Sequence, residues 1–130
     1  MLDTGAEIHC LRDPTRGGLA SALNEIATSA KLGMLIEEEK IPIQEAVYGA
    51  CEILGLDPLY VANEGVLIAF VRSNDTESVL EAMQSHPLGT GTAMIGKVVV
   101  DHPGTVLLKS RIGGTRVIDM LPGEQLPRIC

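Results

Sequence analysis

Helix-like and strand-like segments alternate along this chain, and the alternation restricts its fold more than any other feature of the sequence. The apolar residues of Leu19–Ala30 recur at helical spacing. Asp13 is predicted as the N-cap of this helix, with Pro14 as its first residue and Gly33 just after its end. Because a helix must bury its apolar stripe against another element, the chain is predicted to form packed layers.

Two more helices are predicted farther along the chain. One is opened by Pro42 and ended by Gly55. The other starts with a pattern like a capping box at Asn74 and Glu77 and stops at His86. The apolar face of the first of these two helices is predicted to consist of Ile43, Val47, Cys51 and Leu54.

Short extended segments occupy the intervals between the helices and dominate the last third of the chain. The run Val66–Val71 is almost wholly apolar and is bounded by turn residues, which is typical of a buried strand. A Gly113-Gly114 turn separates two later strands, and Arg111 and Arg116 beside it are expected to be solvated. Three helices with at least five strands predict an α/β fold with a mixed β-sheet and packed helices. The other predicted strands are Glu7–Arg12, Met34–Glu38, Ala93–Val100, Thr105–Ser110 and Thr115–Met120.

The composition excludes several classes of protein. The 130 residues suit one domain, predicted at 1–120, while residues 121–130 lack periodicity and are expected to form a flexible tail. A net charge of −7, with two Tyr, one Phe and no Trp, disfavours nucleic acid as a partner. No apolar run is long enough to span a membrane. Three cysteines leave at least one thiol unpaired, which favours the reducing cytoplasm.

The segment Asp13–Gly18 is the first candidate site. Free N–H groups at a helix start, with Arg16 beside them, can bind a small anion such as a nucleotide phosphate. Gly17 and Gly18 would let a ligand approach the backbone closely, but they would equally allow tight packing of a strand against a helix. The spacing alone favours packing.

Asn63-Glu64-Gly65 is the second candidate site. The Glu64 carboxylate, at the start of a predicted buried strand, could act as a general base if burial raised its affinity for protons. Asn and Gly also favour left-handed turn geometry, so a solvated turn is the simpler interpretation.

The third candidate is the thiol of Cys130, the last residue, in the sequence Pro127-Arg128-Ile129-Cys130. A thiol on a mobile terminus can travel between sites, and a neighbouring cation increases its thiolate fraction. An incidental exposed thiol is the alternative. Cys10 and Cys51 are expected to be packed, and no cysteine and histidine spacing predicts a zinc site.

Four motifs in a fixed order relate the chain to a known family. They are Asp13–Ala20, Ala62–Gly65, Ser85–Gly89 and Pro127–Cys130. With them the chain resembles the C-terminal domain of the hydrogenase maturation factors HypE, members of the aminoimidazole ribonucleotide synthetase-like (PurM) superfamily. The resemblance covers essentially the whole chain, and the terminal Pro-Arg-Ile-Cys is its most specific part. It implies the PurM C-terminal fold.

The resemblance also implies a reaction. In that family the carbamoyltransferase HypF places a carbamoyl group on the C-terminal cysteine, and ATP is used to dehydrate it to a thiocyanate. The cyano group passes to iron on the HypC–HypD complex as a ligand for [NiFe]-hydrogenase. On this chain Cys130 would be the acceptor and Glu64 the base. Arg16, Gly17, Gly18 and Asn63 would line the nucleotide-phosphate site.

One departure from the family is large. Family members have an N-terminal domain that supplies most ligands of Mg-ATP and the homodimer interface, and nothing in this sequence corresponds to it. The chain is therefore expected to be a fragment, inactive and a weak ATP binder by itself. Two alternative functions stay open. The chain could belong to another ATP-dependent synthetase of the superfamily, or it could be a non-enzymatic domain that docks a partner.

Overall fold

A computed structural model describes residues 1–120 of the chain. The predicted tail, 121–130, and Cys130 with it lie outside the described residues. The described part contains three α-helices and six strands, as the α/β prediction requires. The helices are α1 (Gly18–Ala30), α2 (Glu45–Leu54) and α3 (Thr76–Gln84). The strands are β1 (Ile8–Arg12), β2 (Gly33–Glu37), β3 (Ile68–Val71), β4 (Gly96–Val99), β5 (Val106–Lys109) and β6 (Thr115–Ile118).

Four of the strands form one mixed sheet in the order β4-β2-β5-β6. The central pair β2 and β5 is parallel, with Leu35 opposite Leu107, and the two outer pairs are antiparallel. The remaining strands, β1 and β3, form a separate antiparallel pair. The mixed sheet predicted from the sequence is confirmed. No helix within residues 1–120 is long and apolar enough to cross a membrane.

Helix α1 lies on the mixed sheet and forms the core with it. Its buried side chains belong to one cluster with those of β2, β5 and β6. The Asn24 amide, buried in this layer, donates to the carbonyl oxygens of Ala20 and Ile118, both at 2.9 Å. One side chain thereby links the helix to β6. The apolar contributors from α1 and the sheet are Ala20, Leu23, Ala27, Met34, Ile36, Val106, Leu108 and Ile118.

The predicted ends of α1 are both wrong. The helix begins at Gly18. Gly17 and Gly18 have φ angles of 67° and 63°, and because a right-handed helix requires negative φ, it cannot extend back to Asp13. At the other end Lys31, with φ of 55°, is the C-cap. Gly33 instead starts β2, where an added Cβ would lie 1.9 Å from the Asp101 carbonyl oxygen.

The other two helices also begin later than predicted. Gln44, not Pro42, precedes α2, although Gly55 ends it as expected. Cys51 is its one buried residue, and Leu54 is 68% exposed, so the predicted apolar face is largely open. A turn of 3-10 helix over Ser73–Asp75 delays the start of α3, which makes Asp75 its N-cap in place of Asn74.

Strand β3 is shorter and more exposed than predicted. The run Val66–Val71 becomes a strand only from Ile68, and Val66 and Leu67 before it are 45% and 46% exposed. The reason is that β3 pairs with β1 alone, outside the mixed sheet, so that Ile68 is its single buried residue. Cys10 on β1 is accordingly only half-buried, whereas Cys51 is buried as expected.

Candidate functional site

The loop before α1 ends in two consecutive left-handed glycines. The Ser21 N–H donates to the Gly17 carbonyl oxygen at 3.2 Å and starts the helical ladder. A Cβ added at Gly17 would lie 2.1 Å from the Ser21 hydroxyl oxygen. Gly17 therefore leaves space for the Ser21 side chain on the helix's first turn.

Gly18 is required by a different contact, with the short 3-10 turn at Pro58–Tyr60. A Cβ on Gly18 would lie 2.6 Å from the carbonyl oxygens of both Leu59 and Val61. Both neighbours are backbone atoms, which cannot move aside as a side-chain end can. Close packing of backbone against backbone, the interpretation favoured from spacing, thus accounts for Gly18.

The same contact region brings the first two candidate segments together. The Asn63 N–H donates to the carbonyl oxygen of the buried Pro14 at 3.0 Å. Arg16 follows Pro14 by two residues, and Glu64 follows Asn63 directly. The structure thus places the proposed phosphate loop beside the proposed base segment, a juxtaposition that neither segment predicts alone.

Unpaired hydrogen-bond donors collect at the start of α1. The N–H groups of Gly18, Leu19 and Ala20 meet no acceptor in the described part of the chain. Arg16 is exposed and forms no ion pair with any residue from 1 to 120. Several oriented donors and a cation at the positive end of a helix fit a phosphate group.

Glu64 and Asn63 are both exposed. Gly65 next to them has a φ of 83°, which agrees with the turn interpretation of this segment. Residues 1–120 by themselves do not bury the Glu64 carboxylate. Its role as a base stays a prediction.

An ion pair that the sequence did not predict supports the Pro58–Tyr60 turn. Asp57 caps it, with one carboxylate oxygen accepting from the Leu59 N–H at 2.9 Å. The other oxygen accepts from the Arg116 guanidinium at 3.0 Å. Arg116 on β6 is therefore paired, contrary to the solvated arginine expected. The Asp-Pro dipeptide did carry a signal for the cap, because Asp before Pro is a common way to start such a turn.

Tyr60, the last residue of this turn, has an altered acidity. Burial raises the pKa of its phenol above the usual value of 10.0, and the Asp57 carboxylate raises it further. The pKa of Tyr60 is higher in the folded chain than in the unfolded chain. The contribution of the neutral phenol to stability is therefore fully present below pH 10.0. This stabilisation is lost as the pH rises through the folded-state pKa.

We expect Tyr60→Phe to reduce the loss of stability in alkali, because phenylalanine has no proton to release. In urea unfolding the variant should match the wild type near pH 7 and lose stability less steeply as the pH rises above 10.0. An identical pH dependence of the two proteins would show that Tyr60 is not responsible for the loss.

The described residues do not provide a metal site. Nowhere in residues 1–120 do three or more His, Cys, Asp or Glu side chains come close enough to hold an ion. A cavity of about 250 Å³, lined by Tyr48, Cys51, Leu59 and Arg111 among others, contains none of the predicted site residues. The candidate site is consequently the open edge formed by the 13–18 loop and the Asn63-Glu64 segment.

Comparisons with known proteins identify relatives of this chain. The family described as AIR synthase related protein, C-terminal domain, matches residues 1–109. Carbamoyl dehydratase HypE of Azotobacter vinelandii is 55% identical over 130 residues, which are 100% of this chain and 38% of that protein.

Two solved structures are similar as well. A crystal structure of the hydrogenase maturation protein HypE in complex with ATP has a TM-score of 0.87 at 44% identity, over 95% of this chain and 38% of that chain. The HypE–HypF complex has a TM-score of 0.82 at 40% identity, over 88% of this chain and 37% of that chain. The chain thus spans little more than a third of the length of these relatives.

Proposed function

The chain belongs to the AIR synthase related protein, C-terminal domain, family, and from that premise we propose that it is the C-terminal domain of an ATP-dependent carbamoyl dehydratase of hydrogenase maturation. The observation that carries the proposal is the 55% identity with a HypE carbamoyl dehydratase along the entire chain. The terminal Pro127–Cys130 sequence supports the same function, because it supplies the thiol that such a reaction needs.

In the proposed reaction, the sulfur of Cys130 carries a carbamoyl group as a thiocarbamate. ATP supplies a phosphoryl group to the amide oxygen, so that this oxygen can leave as phosphate. Glu64 accepts a proton from the amide nitrogen, and loss of the second nitrogen proton completes the carbon–nitrogen triple bond of the thiocyanate. The product is the cyanide donor for the active-site iron of [NiFe]-hydrogenase.

The nucleotide phosphates are proposed to bind at the start of α1. The unpaired N–H groups of Gly18, Leu19 and Ala20 support this assignment, as does the exposed guanidinium of Arg16. Gly17 leaves room for the Ser21 side chain, and the Asn63 N–H bonds the base segment to the loop. These residues provide donors for an anion but no carboxylate cluster for Mg²⁺, so no step is assigned to magnesium ligands of this chain.

The proposed partners follow from the proposed reaction. A relative has been solved as a HypE–HypF complex, which supports HypF as the source of the carbamoyl group. HypC–HypD would receive the cyano group, and the protein at the length of its relatives would be a homodimer in the cytoplasm. The domain itself is proposed to end near residue 120, with 121–130 as the segment that carries the sulfur.

The test separates carbamoylation from dehydration. The full-length protein is incubated with HypF, carbamoyl phosphate and ATP, and intact mass distinguishes the carbamoyl adduct from its dehydrated product. We expect Glu64→Gln to accumulate the carbamoyl adduct and to dehydrate it about a hundredfold more slowly, because a positioned base contributes roughly that factor or more.

Glu77→Gln is the matched control, since Glu77 is an exposed carboxylate on α3. It should dehydrate the adduct at the wild-type rate. A wild-type protein that never acquires an adduct would contradict the proposed function, whereas normal dehydration by Glu64→Gln would contradict only the role of Glu64.

A further inference from the structure

The ion pair between Asp57 and Arg116 is not part of the candidate site, but Asp57 caps the Pro58–Tyr60 turn that packs against it. We propose that these two residues are positioning residues for the phosphate-binding loop, which they hold in place through the Pro58–Tyr60 turn. The inference rests on the function proposed above, because it concerns how that site keeps its shape.

The first contact in the chain of support lies at the sheet. Arg116 is on β6, whose neighbour β5 belongs to the centre of the mixed sheet. Its guanidinium donates to Asp57 at 3.0 Å, so the carboxylate is attached to the mixed sheet.

The second contact passes from the carboxylate to the turn. The other Asp57 oxygen accepts from the Leu59 N–H at 2.9 Å, and Leu59 is only 3% exposed. Asp57 therefore orients the backbone of the turn with one oxygen and fixes it to the sheet with the other. Loss of Arg116 would leave the cap in place but release it from β6.

The third contact passes from the turn to the loop. The carbonyl oxygens of Leu59 and Val61 face Gly18 so closely that no side chain fits between them. Two residues beyond Val61, the Asn63 N–H holds the Pro14 carbonyl at 3.0 Å. The turn and the segment that follows it thus contact the 13–18 loop at both of its ends, and a shift of this segment would move the unpaired N–H groups of α1.

The expected kinetic signature is a change in nucleotide binding without a change in chemistry. In the dehydration assay, Arg116→Ala should raise the KM for ATP about threefold to fivefold, the range that a partly exposed ion pair can account for, with kcat unchanged.

Arg116→Lys should restore the KM, because only one guanidinium nitrogen makes the contact. Asp57→Asn keeps the cap acceptor and should match Arg116→Ala. The double variant should be no worse than either single one.

Arg72→Ala is the matched control. Arg72 forms an ion pair of the same kind with Glu7 at 2.8 Å, and the two residues flank the paired ends of β1 and β3. Its removal should leave the KM for ATP unchanged. An unchanged KM in Arg116→Ala, or additive effects in the double variant, would overturn the proposal.

Amide hydrogen exchange tests the support independently of the reaction. In Arg116→Ala the N–H groups of Asn63 and Ser21, which bond to the loop, should exchange about threefold to fivefold faster. The Met34 N–H, bonded to the Thr105 carbonyl in the core, should keep its wild-type rate. Equal acceleration of all three would indicate global destabilisation and contradict a positioning role.

If the wild type fails to dehydrate a thiocarbamate, the proposed function is wrong, and the exchange rates still decide whether the ion pair holds the loop.

Discussion

Gly18→Ala is expected to lower the free energy of unfolding by about 3 kcal/mol, through two effects that act at the same atom. The backbone at Gly18 has a φ of 63°, which costs an L-residue about 1–2 kcal/mol. The new Cβ would also lie 2.6 Å from two backbone carbonyl oxygens of the segment after Asp57. Relief of that overlap requires the Pro58–Tyr60 turn to move away from α1. The midpoint of urea unfolding, at constant slope, measures the loss.

Gly55→Ala is the control that separates the two effects. Gly55 has nearly the same φ, 67°, but an added Cβ there meets nothing within 4 Å. This variant should lose only about 1 kcal/mol, the backbone contribution alone. Equal losses at the two positions would show that the close approach of Gly18 to the turn does not contribute to stability.

Cys130→Ala is expected to abolish the carbamoyl adduct entirely, because no other atom of the chain is proposed to accept the group. After incubation of the full-length protein with HypF, carbamoyl phosphate and ATP, intact mass should show unmodified protein only. Dehydration and cyanide donation should then be undetectable, since both proceed from the thiocarbamate.

Cys10→Ala serves as the matched control for the loss of a thiol. Cys10 is half-buried on β1 and has no proposed role in the reaction. Its variant should acquire the adduct as the wild type does. An adduct on Cys130→Ala would mean that another nucleophile carries the carbamoyl group, and the proposed mechanism would have to be abandoned.

The sequence predicts the elements of this fold better than their ends. Apolar spacing identifies α1, because Leu23 and Ala27 must face the sheet whatever precedes the helix. The sequence misplaces the start of α1, because Asp13-Pro14 is typical of an N-cap, whereas the decisive feature is the left-handed backbone at two glycines. That backbone is selected by a neighbour distant in sequence, so local spacing could not reveal it. The sequence does not predict the exposure of Val66 and Leu67 for a similar reason, since it depends on which sheet β3 joins.

The candidate site was predictable in its parts but not in its assembly. The sequence indicates the glycines at the start of α1 and the Asn63-Glu64-Gly65 turn separately, and each has a structural alternative. The hydrogen bond from Asn63 to Pro14 that joins them is a tertiary contact. The same is true of Asp57 and Arg116, which are 59 residues apart in sequence and whose contact depends on the position of β6 beside β5.

The double hydrogen bond of the Asn24 amide has a consequence for the proposed phosphate site. Because this one group donates both to its own helix and to the Ile118 carbonyl of β6, α1 cannot slide along the sheet or rotate about its axis without losing a buried bond. The donors at its first turn are therefore pre-organised at a constant height above the sheet. At the proposed phosphate site an anion would therefore meet donors that are already oriented, because the entropy cost of arranging them is met during folding and not on binding.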